Sequence, residues 1–86
     1  MNEIYDYVKN WGDEIDMLFN DDGSISHIYW TFEKHYFCVT EPHSGNYYNY
    51  LLRVANKDTF DRWSGAEVEI YAKNPQQIIL TLIEYI

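Results

Sequence analysis

The side chains best suited to chemistry in this chain are one thiol, three imidazoles and a dense set of carboxylates. Cys38, His27, His35 and His43 are its only Cys and His residues. As zinc ligands they would need to converge, but no paired Cys or closely spaced His motif is present. On a strand, His35 and Cys38 are three apart and point to opposite faces. Cys38 as a nucleophile would need a neighbouring base, a helix start or a tight elbow to ionise it, and none adjoins it. The run Asn20-Asp21-Asp22-Gly23 invites a calcium loop. Placing Gly23 at the sixth loop position, however, puts Leu18 first and Tyr29 twelfth, where carboxylates are required. Paired-carboxylate catalysis has no support either, because the acids fall on a predicted helix surface and in a turn, where water would solvate them. The expectation is a non-enzyme with no catalytic residue, no metal and no cofactor. Cys38 is the first residue to test in any enzymatic reading.

The carboxylates are more informative as a field. Of 14 Asp and Glu residues, seven lie between Met1 and Asp22: Glu3, Asp6, Asp13, Glu14, Asp16, Asp21 and Asp22. Only Lys9 opposes them there. With six Lys and Arg in total, the formal net charge is −8. Nucleic acid and anionic membranes would repel such a chain, whereas a basic groove would attract it. Nine Tyr and three Trp exceed what a small core needs, so several rings are expected at the surface, where Tyr and Trp serve as interface anchors. The candidate partner-binding residues are those seven acids together with Tyr47, Glu67, Glu69 and Tyr71.

These residues must be positioned by one small domain, since 86 residues fall within the size of a single core. Hydrophobic residues make up 47%, with only four Gly and two Pro, a composition that folds. One cysteine cannot form an internal disulfide. No signal peptide is read at the acidic start Met1-Asn2-Glu3, and the most apolar stretch, Ile78 to Ile83, is too short to cross a bilayer. A cytoplasmic location is expected.

Ile4, Val8, Trp11, Ile15 and Leu18 recur at helical spacing and predict one amphipathic helix over the first four turns, with Gly12 as a weak point. Its far end would be crowded by Asp13, Glu14, Asp16, Asp21 and Asp22, against the dipole. Asn20 to Ser24 reads as a turn. Alternation predicts strands over Ser24–Phe32, Tyr36–Thr40, Tyr47–Ala55 and Ala66–Ala72. The link Glu33-Lys34-His35 lacks a turn-forming Gly or Asn, and Glu41 to Asn46 reads as a loop. Asp58 to Trp63 predicts a single helical turn. Asn74-Pro75-Gln76-Gln77 is a strong helix start, followed by Ile78, Ile79, Leu82, Ile83 and Ile86 as a buried stripe. The expected fold is α+β: an antiparallel sheet of about four strands with both helices on one face, order α-β-β-β-β-α. The other sheet face would present Tyr29, Tyr36, Tyr47, Tyr71, Glu67 and Glu69.

The functional expectation is an acidic inhibitor that binds a basic, nucleic-acid-binding protein. Carboxylates would stand in for phosphates and exposed Tyr rings would fill base pockets. In size, charge and aromatic content the chain is similar to small acidic phage counter-defence proteins, including anti-CRISPR proteins and other DNA mimics, although no shared motif accompanies the likeness. An immunity protein or antitoxin against a basic toxin would use the same surface. A structural subunit assembling through its sheet, including a homodimer, is the remaining reading. Direct nucleic-acid and membrane partners are not expected.

Overall fold

Alternation of side chains, more than helical spacing, organises this chain. The computed structural model describes residues 1–41 and 47–86. Helix α1 covers Asn2–Val8, followed by strands β1 (Asp13–Phe19), β2 (Ile25–Phe32), β3 (His35–Thr40), β4 (Tyr50–Asn56) and β5 (Val68–Ala72), then helix α2 (Pro75–Leu82). The strands form one antiparallel meander in the order β1-β2-β3-β4-β5. The α+β architecture with flanking helices is as expected, with five strands among the described residues instead of four.

The additional strand comes from what the sequence presents as helix. Helix α1 ends at Val8. Residues 9–12 turn, and Asp13–Phe19 runs as an edge strand. Gly12 makes this turn feasible by close approach. A Cβ there would lie 2.8 Å from Val8 Cγ1 and 3.0 Å from Trp30 Cδ1, so only the bare backbone can pass between them. Ile15 and Met17 then pack against the core, which fits a two-residue period just as Ile15 and Leu18 fit a helical one.

Cross-strand register defines two faces. Ile28, Trp30, Phe37, Val39, Leu52 and Val54 are buried towards the helices, joined by Ile4 and Val8 of α1 and by Ile78 and Leu82 of α2. Trp30 and Phe37 stack in parallel with centroids 5.1 Å apart, and the Trp11 ring meets both edge-on. Burying these rings and aliphatic chains supplies the main stabilising term, about 1.5–3 kcal/mol for each large side chain fully removed from water.

Helix α2 starts as the sequence predicts. The Asn74 side chain accepts the Gln77 N–H at 3.1 Å and Pro75 opens the first turn. Its buried stripe is narrower than expected: Ile78 and Leu82 are buried, whereas Ile83 and Ile86 are exposed. The chain tightens into a 3-10 turn over Ile83–Tyr85, which rotates Tyr85 onto Phe37 and His35 in place of the isoleucines.

The opposite face is not simply open. The β4–β5 connection carries a 3-10 turn at Trp63–Gly65, later than the helical turn expected at Asp58 to Trp63. Phe60 meets Tyr36 edge-on at 5.1 Å, and Trp63 lies 6.3 Å from Tyr29. Tyr29 and Tyr36 are therefore half-buried, and Cys38, Leu51 and Ala55 on the same side are buried. Two turns show distinct backbone solutions. In the β1–β2 hairpin Gly23 adopts φ +87° and donates to the Asn20 carbonyl at 3.0 Å, a positive φ that glycine accommodates freely. In the β2–β3 hairpin Phe32 pairs directly with His35, so Glu33 and Lys34 form a two-residue turn with Glu33 at φ 53°.

Candidate functional site

The eleven candidate residues do not share one patch. Glu3 and Asp6 lie on α1, on the helical side. The Glu3 carboxylate accepts from Gln76 of α2 at 3.3 Å, and Asp6 is paired with Lys9 at 3.3 Å. Asp13 and Asp16 stand on β1 opposite Thr31 and Tyr29 of β2, on the side away from the helices. Glu14 occupies the irregularity between them, with φ 51°. Asp21 and Asp22 form the tip of the β1–β2 hairpin. Glu67, Glu69 and Tyr71 lie on or next to β5, the opposite edge of the sheet. Four inter-strand spacings of about 4.8 Å separate the two edges by about 19 Å.

Within this scatter one continuous group survives. Asp13, Glu14, Asp16, Asp21 and Asp22 follow one another along the outermost strand and its turn, and all are exposed. Among the described residues none of the five forms an ion pair with Lys or Arg; the pairs present are Lys9–Asp6, Arg53–Glu69 and Arg62–Asp61. The sequence suggested a helix terminus burdened by like charge. The structure instead puts these acids on an edge strand, where the helix dipole has no part. Two of the carboxylates are held by hydrogen bonds. Asp16 Oδ1 accepts the Met17 N–H at 2.9 Å. Asp22 Oδ1 accepts both the Ser24 N–H at 2.9 Å and the Ser24 hydroxyl at 2.6 Å. The Ser24 side-chain and backbone bonds hold the Asp22 carboxyl below the usual carboxylate range, since hydrogen bonds to the anion favour it. Exposed Leu18 and Phe19 lie between these groups.

The tyrosines form a second group near the far edge. Tyr47 is 71% exposed, with the Lys73 ammonium 3.8 Å above its ring and donating to its hydroxyl. Tyr48 meets Tyr47 at 5.2 Å and Tyr71 at 5.6 Å. Glu69 is committed to Arg53, with Nε–Oε2 at 3.0 Å. Sequence reasoning missed this pairing because β4–β5 register was not fixed by any turn signal.

Across the non-helical face the register builds a polar row: Asp16, Tyr29, Cys38, Arg53 and Glu69 are successive direct partners over five strands. The thiol sits at its centre. Burial pushes Cys38 up to about 11, and the Tyr29 hydroxyl and Arg53 charge only partly oppose this. Burial likewise raises Tyr29. Cys38 is thus a protonated, shielded group at neutral pH, the reverse of an activated nucleophile. His35 faces the helices beside Tyr85 and His27 stacks on Tyr29, while His43 lies outside the described residues. Among the described residues no group of three His, Cys, Asp or Glu converges to hold a metal ion. Among the described residues no helix is long and apolar enough to cross a membrane.

Comparison with protein-family models, with curated proteins and with solved structures gives no match.

Proposed function

We propose that this chain is a small, non-enzymatic inhibitor that binds a basic, nucleic-acid-binding protein in the cytoplasm and occupies the surface that holds phosphates. The single observation that carries this reading is the run of five exposed carboxylates, Asp13, Glu14, Asp16, Asp21 and Asp22, with no internal Lys or Arg partner among the described residues. An unneutralised row of charge along one edge favours encounter with a cationic groove and exclusion of nucleic acid from it. Exposed Leu18 and Phe19 add apolar contact beside the charges. The size and charge agree with a DNA mimic of the kind used in phage counter-defence, including anti-CRISPR proteins. An immunity protein against a basic toxin would use the same edge.

The acids of α1 and β5 have smaller parts in this reading, because Asp6 and Glu69 already have cationic partners. The exposed apolar side chains Leu80, Ile83 and Ile86 favour a second reading as an assembly subunit, which predicts a molecular size that grows with concentration.

The test is capture of partners from a cell extract on immobilised protein. The proposal expects basic nucleic-acid-binding proteins to be retained at low salt and released at high salt. It expects Asp13→Lys, Glu14→Lys and Asp16→Lys together to abolish retention with the fold intact. Retention unchanged by these reversals contradicts it.

A further inference from the structure

Among the described residues, strand β1 is the terminal strand of the sheet, pairing with β2 on one side only. Its backbone therefore has a free flank, and an edge of this kind is a template for a further strand. The Met17 N–H takes a side-chain acceptor, the adjoining Asp16 carboxylate at 2.9 Å. Among the described residues no backbone carbonyl outside the sheet accepts it. Irregularities between Asp13 and Asp16 and between Leu18 and Phe19 interrupt the strand at both ends, which leaves Asp16 to Leu18 as the regular run fit for pairing. Side chains along that run alternate: Asp16 and Leu18 on the side of Tyr29 and His27, Met17 towards the helices and packed against the core.

Resting on the reading of β1 as the binding edge, we propose that β1 takes an extended basic segment of its partner as a sixth strand. The acids alone would draw any cation; the free strand edge selects an extended one. Charge complementarity decides the occupant. A second copy of β1 would set Asp13, Glu14 and Asp16 near their counterparts, and like charges on adjacent strands repel. A segment alternating Lys or Arg with apolar residues meets both sides of the strand. Its cations face Asp13 and Asp16, and its apolar side chains lie beside Met17. On docking, the Asp16 carboxylate exchanges the Met17 N–H for a partner cation, and the freed N–H donates to a partner carbonyl. No polar group is left unpaired by this exchange.

The experiment uses a blocked eight-residue peptide of alternating Lys and Val, the wild-type protein and a Met17→Pro variant. Proline at Met17 removes the N–H that bonds the Asp16 carboxylate on the free flank, while the ladder to β2 is kept. The expected result is binding at low salt, slowed amide exchange at Met17 on addition of peptide, and affinity weaker by about tenfold in Met17→Pro. Equal binding to both proteins without protection of Met17 would overturn strand addition and leave the electrostatic reading standing. Failure of the peptide to bind also overturns it, and the electrostatic reading is then judged on whole basic proteins. Should Met17→Pro not fold, protection of the wild-type Met17 amide decides alone.

Discussion

Gly12 lies directly against Trp30, with room for no more than a hydrogen between them. The position a Cβ would take is 3.0 Å from Trp30 Cδ1, 2.8 Å from Val8 Cγ1 and 3.1 Å from the Val8 carbonyl. Trp30 is fully packed and Val8 ends α1, so neither neighbour can withdraw cheaply. Gly12→Ala is expected to destabilise the fold by about 1–3 kcal/mol through overpacking. That corresponds to a fall in Tm of about 4–8 °C per kcal/mol for a domain of this size. Urea unfolding of the two proteins measures it; an unchanged midpoint would refute the close approach.

Glu33 makes the opposite prediction. It opens the two-residue β2–β3 turn at φ 53°, a conformation that costs a side-chain-bearing residue about 1 kcal/mol. Glu33→Gly relieves that strain and is expected to raise Tm, with the gain reduced by the greater freedom of glycine in the unfolded chain. Thermal unfolding followed by circular dichroism reads the difference.

Cys38 gives a prediction in alkali. Its folded-state pKa is raised to about 11, while the unfolded thiol ionises in its ordinary range. The stability it contributes is therefore complete below that ordinary range and is lost as pH rises towards 11. Denaturant midpoints should fall over this window, and Cys38→Ala should flatten that part of the profile. At neutral pH a thiol-specific reagent should label Cys38 only on unfolding, since the side chain is buried under the face that Phe60 and Trp63 help to cover.

Asp22 works in acid with the opposite sign. Its carboxyl is held below the usual range by Ser24, so the folded chain favours the anion. The contribution is present above the unfolded carboxylate pKa and disappears as pH falls through the lower folded value. An NMR titration of the Asp22 side chain should show a depressed midpoint in the wild type. In Ser24→Ala it should move back towards the ordinary carboxylate value.

The parts of the fold that could be read from sequence are those where one signal stands unopposed. Asn74 and Pro75 start α2 because cap and first-turn chemistry agree, and in β2 buried Ile28 and Trp30 alternate with the less buried His27, Tyr29 and Thr31. The first twenty residues carry two signals at once. Ile15 and Leu18 extend the helical stripe of Ile4, Val8 and Trp11, yet Ile15 and Met17 also fit a half-buried strand. The decisive clues were physical conflicts: a glycine in the middle of the supposed helix, and carboxylates gathered at its negative end. Both vanish once Asp13–Phe19 is a strand. The candidate site was legible as a composition, because acids at 13 to 22 are adjacent in sequence whatever the fold. Which of the other acids are neutralised was not, since Arg53–Glu69 depends on register between β4 and β5.

Salt dependence of affinity tests the electrostatic claim most directly. For a basic protein retained in the capture experiment, Kd is measured against ionic strength with the wild type and with Asp13→Asn, Asp16→Asn and Asp21→Asn combined. The expected result is tight wild-type binding at low salt that weakens steeply as salt rises, and a variant that binds less well with a much shallower slope. Identical affinities and identical slopes for the two proteins would contradict it.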